Sequence, residues 1–150
     1  MNKIAVFTQG KVKFPYSDVT KPYITSLVKK SLKLLTLENV SVSIIVSDND
    51  FITKINSDYR KKNYATDVIS FAYREQPFPE IKEENEVLGD IYVSAEKAAE
   101  QAEEIGHSLK DEFARLLVHG ILHLIGYDHE KGKKEELRMQ EMEDYILERI

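Results

Sequence analysis

Three histidines in the last third of the chain have the residue type and spacing to hold a metal ion. His119 and His123 lie four residues apart, and His129 follows after a further five residues. In a helix the first two imidazoles project from one face, with Cβ atoms about 5–6 Å apart. Gly126 can end such a helix and reverse the chain, which would bring His129 to the same point. Three neutral nitrogen ligands suit Zn²⁺ best and leave a fourth position open, although nickel, cobalt and copper also bind such sets.

The segment that carries the first two histidines is almost entirely aliphatic. From Leu116 to Ile125 the only other exception is Gly120. A helix that is apolar on nearly all sides is buried, and a buried imidazole needs a polar partner. A single histidine there is usually a hydrogen-bonded core residue, whereas a set of three favours a metal site with one ion per chain. His107 lies at a helix junction, where we expect it to be exposed and without a role.

The histidine spacing can be compared with that of the metzincin proteases, His-Glu-x-x-His-x-x-Gly-x-x-His. The three histidines and Gly126 match that pattern. Gly120, however, stands where the protease keeps the glutamate that serves as its general base. A metzincin-like metallohydrolase is therefore the weaker hypothesis, because a water on the metal would lack its usual proton acceptor.

Residues 119–129, His-Gly-Ile-Leu-His-Leu-Ile-Gly-Tyr-Asp-His, resemble the signature of the YbeY family, the bacterial rRNA-maturation endoribonucleases. Three upstream blocks are similar to other characteristic blocks of that family, in the same order. They are Asn-Ser-Asp-Tyr-Arg at 56–60, Thr-Asp-Val-Ile-Ser-Phe at 66–71 and Leu-Gly-Asp-Ile at 88–91. The resemblance covers nearly the whole chain, so residues 1–150 are expected to form a single YbeY-like metallo-endoribonuclease domain.

This resemblance implies a single zinc ion held by His119, His123 and His129, and an essential arginine at Arg60. The implied activity is cleavage of single-stranded RNA in small-subunit rRNA processing and ribosome quality control, in the cytoplasm and together with ribosomal components. His119 and His123 would then belong to the catalytic centre with Arg60. From the residues alone, a surface cation at a helix end is the favoured interpretation of Arg60, and the resemblance to the family reverses that preference. A metal-stabilised ribosome-assembly factor without catalysis is the alternative of a different class, and the oligomeric state is left open.

Other charged residues near these motifs are weaker candidates. Lys61 and Lys62 belong to the densest basic run in the chain, which is either an RNA-binding path or a solvated surface. Asp67, Asp90 and Asp128 are candidates for orienting a ligand histidine or a water. Each aspartate also has an ordinary explanation as a cap, bulge or turn residue.

The composition is typical of a folded protein of a reducing compartment. The 150 residues are 42% apolar and 31% charged and include no cysteine, which excludes a disulfide scaffold, a thiol nucleophile and a Cys-ligated cluster. No apolar run approaches the length of a membrane span, so we expect a cytoplasmic protein without a membrane partner. The formal net charge is −5, yet residues 1–74 carry twelve basic against six acidic side chains. That basic half leaves room for a local phosphate-binding face.

Hydrophobic periodicity and capping residues predict four strands and about five helices. The strands are expected at residues 4–7, 40–46, 66–73 and 87–93. The helices are expected after Thr20, from Asp48 or Asn49 to about Tyr59, from Ser94 to Gly106, from Ser108 through the histidines, and over 133–150. Residues 74–86 are expected to form a loop. We predict an α+β domain, α/β-like in its layers, with a four-stranded mixed sheet and a central buried helix that carries the histidines.

Overall fold

The computed structural model describes residues 1–75 and 85–150, and these ranges form one four-stranded sheet and five α-helices. The strands are β1 (Lys3–Gln9), β2 (Val40–Ser47), β3 (Val68–Ala72) and β4 (Glu86–Ser94). The helices are α1 (Lys21–Leu34), α2 (Asn49–Arg60), α3 (Ala95–Ile105), α4 (Leu109–Leu124) and α5 (Lys133–Leu147). Two short 3₁₀ turns lie at Tyr73–Glu75 and His129–Lys131. The predicted single α+β domain with a mixed sheet is confirmed.

The sheet is mixed because β3 runs against its neighbour. The strand order is β1-β2-β4-β3, with β1, β2 and β4 parallel and β3 antiparallel to β4. The register between β2 and β4 shifts so that Leu88 has no partner. The next residue, Gly89, has a φ of +148°, and a Cβ there would lie 1.9 Å from the carbonyl oxygen of Phe71. Glycine therefore allows β3 to pair closely with β4 as the edge strand of the sheet.

Helix α4 is the central buried helix that the sequence predicts. Ser108 caps its first turn by accepting a hydrogen bond from the Asp111 amide at 3.0 Å. Its middle packs directly on the sheet at Gly120, where a Cβ would lie 2.9 Å from Cγ2 of Ile91. A glutamate at this position, as in a metzincin, would press against the side chains of Ile91 and Ser70. Neither α4 nor any other helix of the described ranges combines the length and apolarity needed to cross a membrane.

Several predicted boundaries differ from the structure. The first strand spans Lys3–Gln9 rather than 4–7, and the fourth spans Glu86–Ser94 rather than 87–93. The third strand begins at Val68 and ends at Ala72 rather than spanning 66–73. The last helix ends at Leu147 instead of continuing to residue 150. Within the range 74–86 predicted as a loop, Arg74 lies in a 3₁₀ turn and Glu86 begins β4. Residues 76–84, which the same prediction covers, lie outside the described residues.

The prediction that His107 is exposed and without a role is wrong. Its side chain is only 27% exposed, and its Nε2 lies 2.8 Å from Oε1 of Glu112. Glu112 is fully buried, and a buried carboxylate requires polar partners. His107 therefore helps to satisfy a buried charge, a role that follows from tertiary packing.

Candidate metal centre

The three predicted ligands meet at the C-terminal end of α4. One nitrogen from each of His119, His123 and His129 lies within 4.8 Å of the other two. The Nε2 atoms of His119 and His123 are 3.2 Å apart. Two nitrogens bound to one tetrahedral zinc at about 2.05 Å are separated by about 3.3 Å. The donor set and its spacing therefore fit a single metal ion.

His129 joins the other two histidines because the chain reverses after α4. Gly126 has a φ of +104°, a left-handed conformation that glycine adopts without steric cost. Asp128 then accepts a hydrogen bond from the amide of Glu130 at 2.9 Å. This bond caps the short 3₁₀ turn that carries the third histidine. The reversal expected from Gly126 is thus present.

Burial and mutual repulsion act on the protonation of the central histidine. Desolvation lowers the pKa of His123 below its ordinary value, and the neighbouring His119 and His129 act in the same direction. The neutral imidazole, which is the form that binds a metal, is therefore favoured. His129 is exposed whereas the other two are half-buried, so the cluster has one side open to solvent.

Glu143 on α5 supports the cluster, and sequence reasoning missed it. Its Oε1 lies 2.5 Å from Nδ1 of His119, and the residue is only 9% exposed. A carboxylate at Nδ1 fixes the imidazole with its Nε2 lone pair available to a metal. The available signal was the position of Glu143, four residues after Met139 and three before Ile146, two residues that are fully buried.

A cavity of about 580 Å³ opens beside the histidines, bordered by the end of α2, by β3 and by α4. Its lining is polar and carries charges of both signs. The charged residues and histidines that line it are Arg60, Asp67, Arg115, His119, His123, Asp128, His129 and Glu130. A cavity of this kind suits a charged or hydrogen-bonding ligand.

Arg60, the last residue of α2, is one of the cavity-lining residues. The neighbouring Tyr59 packs edge-to-face on Phe71 of β3, with ring centroids 5.2 Å apart. This contact joins the end of the helix to the cavity wall. Arg60 is exposed, and no hydrogen bond or ion pair engages it within residues 1–75 and 85–150. Its guanidinium therefore keeps its donors for a ligand.

The three aspartates predicted near the site occupy different environments. Asp67 and Asp128 line the cavity, whereas Asp90 does not. Asp67 also accepts a hydrogen bond from the amide of Val68 at 2.8 Å, at the start of β3. Asp90 accepts a hydrogen bond from the hydroxyl of Tyr73 at 2.9 Å. The structure thus brings two of the three carboxylates to the histidines.

The two candidate lysines lie beside the cavity in sequence but do not line it. Lys61 and Lys62 directly follow Arg60 and are exposed. Lys61 ends α2 in a left-handed conformation, with a φ of +56°. Both lysines are therefore placed on the surface next to the arginine.

The chain is similar to known proteins over most of its length. A family model described as Endoribonuclease YbeY matches residues 7–150. The Endoribonuclease YbeY of Aquifex aeolicus is 43% identical over 139 residues, which cover 93% of this chain and 89% of that relative. The Endoribonuclease YbeY of Bacillus licheniformis is 47% identical over 116 residues, covering 75% and 73%. The solution structure of TM1509 from Thermotoga maritima matches with a TM-score of 0.63 at 28% identity, covering 97% of this chain and 87% of that one.

Proposed function

Because the chain belongs to the endoribonuclease YbeY family, we propose that it is a zinc-dependent endoribonuclease that cleaves single-stranded RNA. The observation that supports this most directly is a three-histidine ligand set in the same cavity as Arg60, an arginine with no ion-pair partner among residues 1–75 and 85–150. In this proposal residues 1–150 work as one domain in the cytoplasm. Its substrate is small-subunit rRNA, its partners are components of the small ribosomal subunit, and its roles are rRNA maturation and ribosome quality control.

His119, His123 and His129 would hold one zinc ion per chain. The 3.2 Å separation of two Nε2 atoms and the carboxylate at Nδ1 of His119 support this assignment. Such an ion, when bound, polarises a phosphate oxygen or lowers the pKa of a water to about 7. The three histidines leave at least one coordination position, and the exposed side of the cluster lets a substrate reach it.

Arg60 would bind a phosphate oxygen of the RNA at the bond that is cleaved. A guanidinium is always charged and can donate two parallel hydrogen bonds to a phosphate. Because Arg60 has no ion-pair partner in the described part of the chain, binding would not require an existing bond to be broken. Lys61 and Lys62 would contact the phosphates of flanking nucleotides from the surface beside it.

The cavity carboxylates would hold water or a ribose hydroxyl near the phosphate. Asp67 and Asp128 line the cavity with the histidines, and carboxylates accept hydrogen bonds from such groups. Asp90 would act farther away, by fixing the hydroxyl of Tyr73. Glu143 would keep His119 oriented, and Gly120 gives no room for a protease-type glutamate, which favours a nuclease over a metzincin-like hydrolase.

The test is cleavage of a labelled single-stranded RNA by the purified zinc-loaded protein, beside two histidine variants. His123→Ala should lose both zinc and cleavage. His107→Gln is the matched control, because His107 lies outside the cluster and glutamine keeps a hydrogen-bonding group beside Glu112. It should retain both.

The outcomes separate the competing functions. Equal cleavage by all three proteins would identify a contaminating nuclease and contradict the proposal. Zinc binding without cleavage by any of them, together with binding to isolated small ribosomal subunits, would favour a non-catalytic assembly factor. Cleavage of a peptide instead of RNA would favour the metzincin-like alternative.

A further inference from the structure

A second arginine lies in the cavity on the same helix as the histidines. Arg115 lines the cavity together with His119 and His123. These three residues are spaced at four-residue intervals along α4, which places them in one row on the helix surface. Sequence reasoning gave Arg115 no role, because the spacing of a single arginine carries no motif.

Arg115 is held in a fixed position by a buried carboxylate. Its Nε and Nη2 donate to Oε1 and Oε2 of Glu112 at 2.7 and 2.6 Å. Glu112 is fully buried and also contacts His107. Nη2 of Arg115 donates a further hydrogen bond to Gln101 at 3.2 Å. A long cationic side chain is thus ordered before any ligand arrives, which lowers the entropic cost of binding.

The guanidinium nevertheless keeps donors for a ligand. The bonds to Glu112 and Gln101 use Nε and Nη2. Within the described ranges no hydrogen bond engages Nη1. The Arg115 side chain is 38% exposed, whereas that of Glu112 is 0% exposed. Solvent, or a ligand in the cavity, therefore reaches the cation but not the carboxylate that holds it.

The charges in the cavity explain why a second cation would matter for a polyanion. The lining contains three carboxylates and two arginines: Asp67, Asp128, Glu130, Arg60 and Arg115. With only one arginine, the +1 charge of that arginine and the +2 charge of a divalent metal would just balance the three carboxylates. The second arginine therefore makes a metal-loaded lining net positive, and Glu112 is absent from that lining.

We propose that Arg115 is a phosphate-binding residue that holds a second phosphate of the RNA strand, and that Glu112 positions it. The inference rests on the proposed function, since RNA is the ligand. Arg115 also lines a neighbouring cavity of about 440 Å³, together with Lys30 of α1. The second phosphate therefore belongs to the part of the strand that leaves the histidines toward α1.

The test compares two double variants of the zinc-loaded protein. The cavity variant is Glu112→Gln with Arg115→Gln, which removes both charges and keeps two amides that can bond to each other. The control is Arg74→Gln with Glu86→Gln. Arg74 and Glu86 form the same kind of two-pronged pair, at 2.6 and 2.9 Å. The Arg74 side chain is 43% exposed, close to the 38% of Arg115, whereas Glu86 is exposed and Glu112 is buried. Neither Arg74 nor Glu86 lines either cavity.

Binding is measured by fluorescence anisotropy with a single-stranded 2′-O-methyl phosphorothioate RNA, which resists cleavage, at several salt concentrations. The cavity variant should bind about tenfold more weakly, because a charge-assisted hydrogen bond is lost. Its log–log salt slope should fall by about 0.7, the value for one phosphate contact on a single strand. The control variant should match the wild type, and zinc content should be unchanged in all three.

Each outcome decides between the inference and a purely structural role for the pair. Wild-type affinity and slope in the cavity variant would leave Arg115 as a mere counter-ion of Glu112. Equal losses of RNA affinity in both double variants would also overturn the inference, because binding would then depend on the overall charge and not on the position of Arg115. No binding by the wild type would contradict the proposed function itself. If the cavity variant fails to fold, Arg115→Lys replaces it. We then expect weaker RNA binding at an unchanged salt slope, because lysine keeps the positive charge but lacks the planar guanidinium that donates two parallel hydrogen bonds.

Discussion

The two sides of the cavity are built in different ways. On one side, His119 stands on a helix buried in the core, and Glu143 of a second helix holds its ring. On the other side, Arg60 is the exposed last residue of α2, and an aromatic contact of Tyr59 ties the helix end to β3. We call these the histidine side and the arginine side. The packed side fixes the imidazoles as metal ligands, whereas the exposed side leaves the donors of Arg60 open to a phosphate from solvent.

This comparison makes a general prediction about variants. Changes to the metal ligands of the histidine side, or to Glu143 and Gly120 beside them, should alter metal content or core stability. Arg115 lies on the same helix but does not contact the ligands, so we expect its loss to affect only the binding of RNA. Changes on the arginine side should leave the metal in place and alter only the handling of RNA or the stability of one helix. If a change on the arginine side lowered zinc content, the two sides would be structurally coupled.

The largest effect is expected for Arg60→Ala on the arginine side. Cleavage should fall by about 10²-fold or more, by analogy with the loss of one donor to a developing charge. Zinc content and thermal stability should be unchanged, because no hydrogen bond or ion pair engages Arg60 in the described ranges. Lys54→Ala is the control, since Lys54 is exposed on the same helix and does not line the cavity. Undiminished cleavage by Arg60→Ala would make Arg60 an ordinary surface cation.

The next effect is expected for Glu143→Gln on the histidine side. Zinc should bind about 10-fold to 100-fold more weakly, because the side chain that orients His119 loses its charge. Glu141→Gln is the matched control, an exposed glutamate on the same helix, and it should bind zinc like the wild type. Zinc affinity is measured by competition with a chelator at fixed pH. Identical affinities in the two variants would mean that Glu143 merely fills space beneath His119.

A smaller effect is expected for Gly120→Ala, which tests the packing behind the histidine side. In an exposed helix this change stabilises the fold by about 1 kcal/mol. Here the added Cβ would lie 2.9 Å from Cγ2 of Ile91 and 3.1 Å from Oγ of Ser70. We therefore expect a loss of about 1–3 kcal/mol in the free energy of unfolding, as for other overpacked cores. Urea denaturation decides the question by the sign of the change, and a gain in stability would show that α4 and β4 separate easily.

The contrast between the two sides also explains what could be predicted from the sequence. The three histidines were found because their ligand spacing lies within 11 residues, so local helix geometry and one glycine determine it. Glu143 is not predicted because its contact depends on how α5 packs on α4. The pair of Arg115 with Glu112 is local to α4, but the placement of Arg115 beside the cavity depends on tertiary packing. Neither belongs to a short motif.

The ends of some elements and the roles of the weaker candidates also depend on tertiary contacts. The four strands and five helices follow from periodicity, but the ends of β3 and α5 depend on tertiary hydrogen bonds and packing that a pattern does not contain. Asp67, Asp90 and Asp128 have the same chemistry in the sequence. Only the folded chain separates the two that line the cavity from the one bonded to Tyr73. His107 was misjudged for the same reason, because its partner is a buried glutamate.

The smallest effect is expected at the far end of the arginine side, at the N-terminus of α2. Asp48 caps this helix by accepting a hydrogen bond from the amide of Phe51 at 2.9 Å. It also accepts one from the amide of Lys11, after β1, at 2.9 Å. These bonds lower the pKa of Asp48 below its ordinary value, the bond from Phe51 contributing most. Asp48→Ala should reduce the free energy of unfolding by about 1 kcal/mol at neutral pH, the usual cost of losing an N-cap. Asp50→Ala, an exposed position in the first turn of the same helix, is the control.

The pH dependence of this loss tests its electrostatic part. Because the pKa is lower in the folded state, the charge of Asp48 stabilises the protein above the unfolded-state pKa of about 3.9. That contribution to stability is lost as the pH falls through the pKa of Asp48 in the folded state. The difference in stability between wild type and Asp48→Ala should therefore narrow on acidification, as measured by urea denaturation from pH 7 downward. If the difference in unfolding free energy stays constant with pH, the cap acts by neutral hydrogen bonding alone. If Asp48→Ala also loses zinc at pH 7, the arginine side helps to hold the histidines in place.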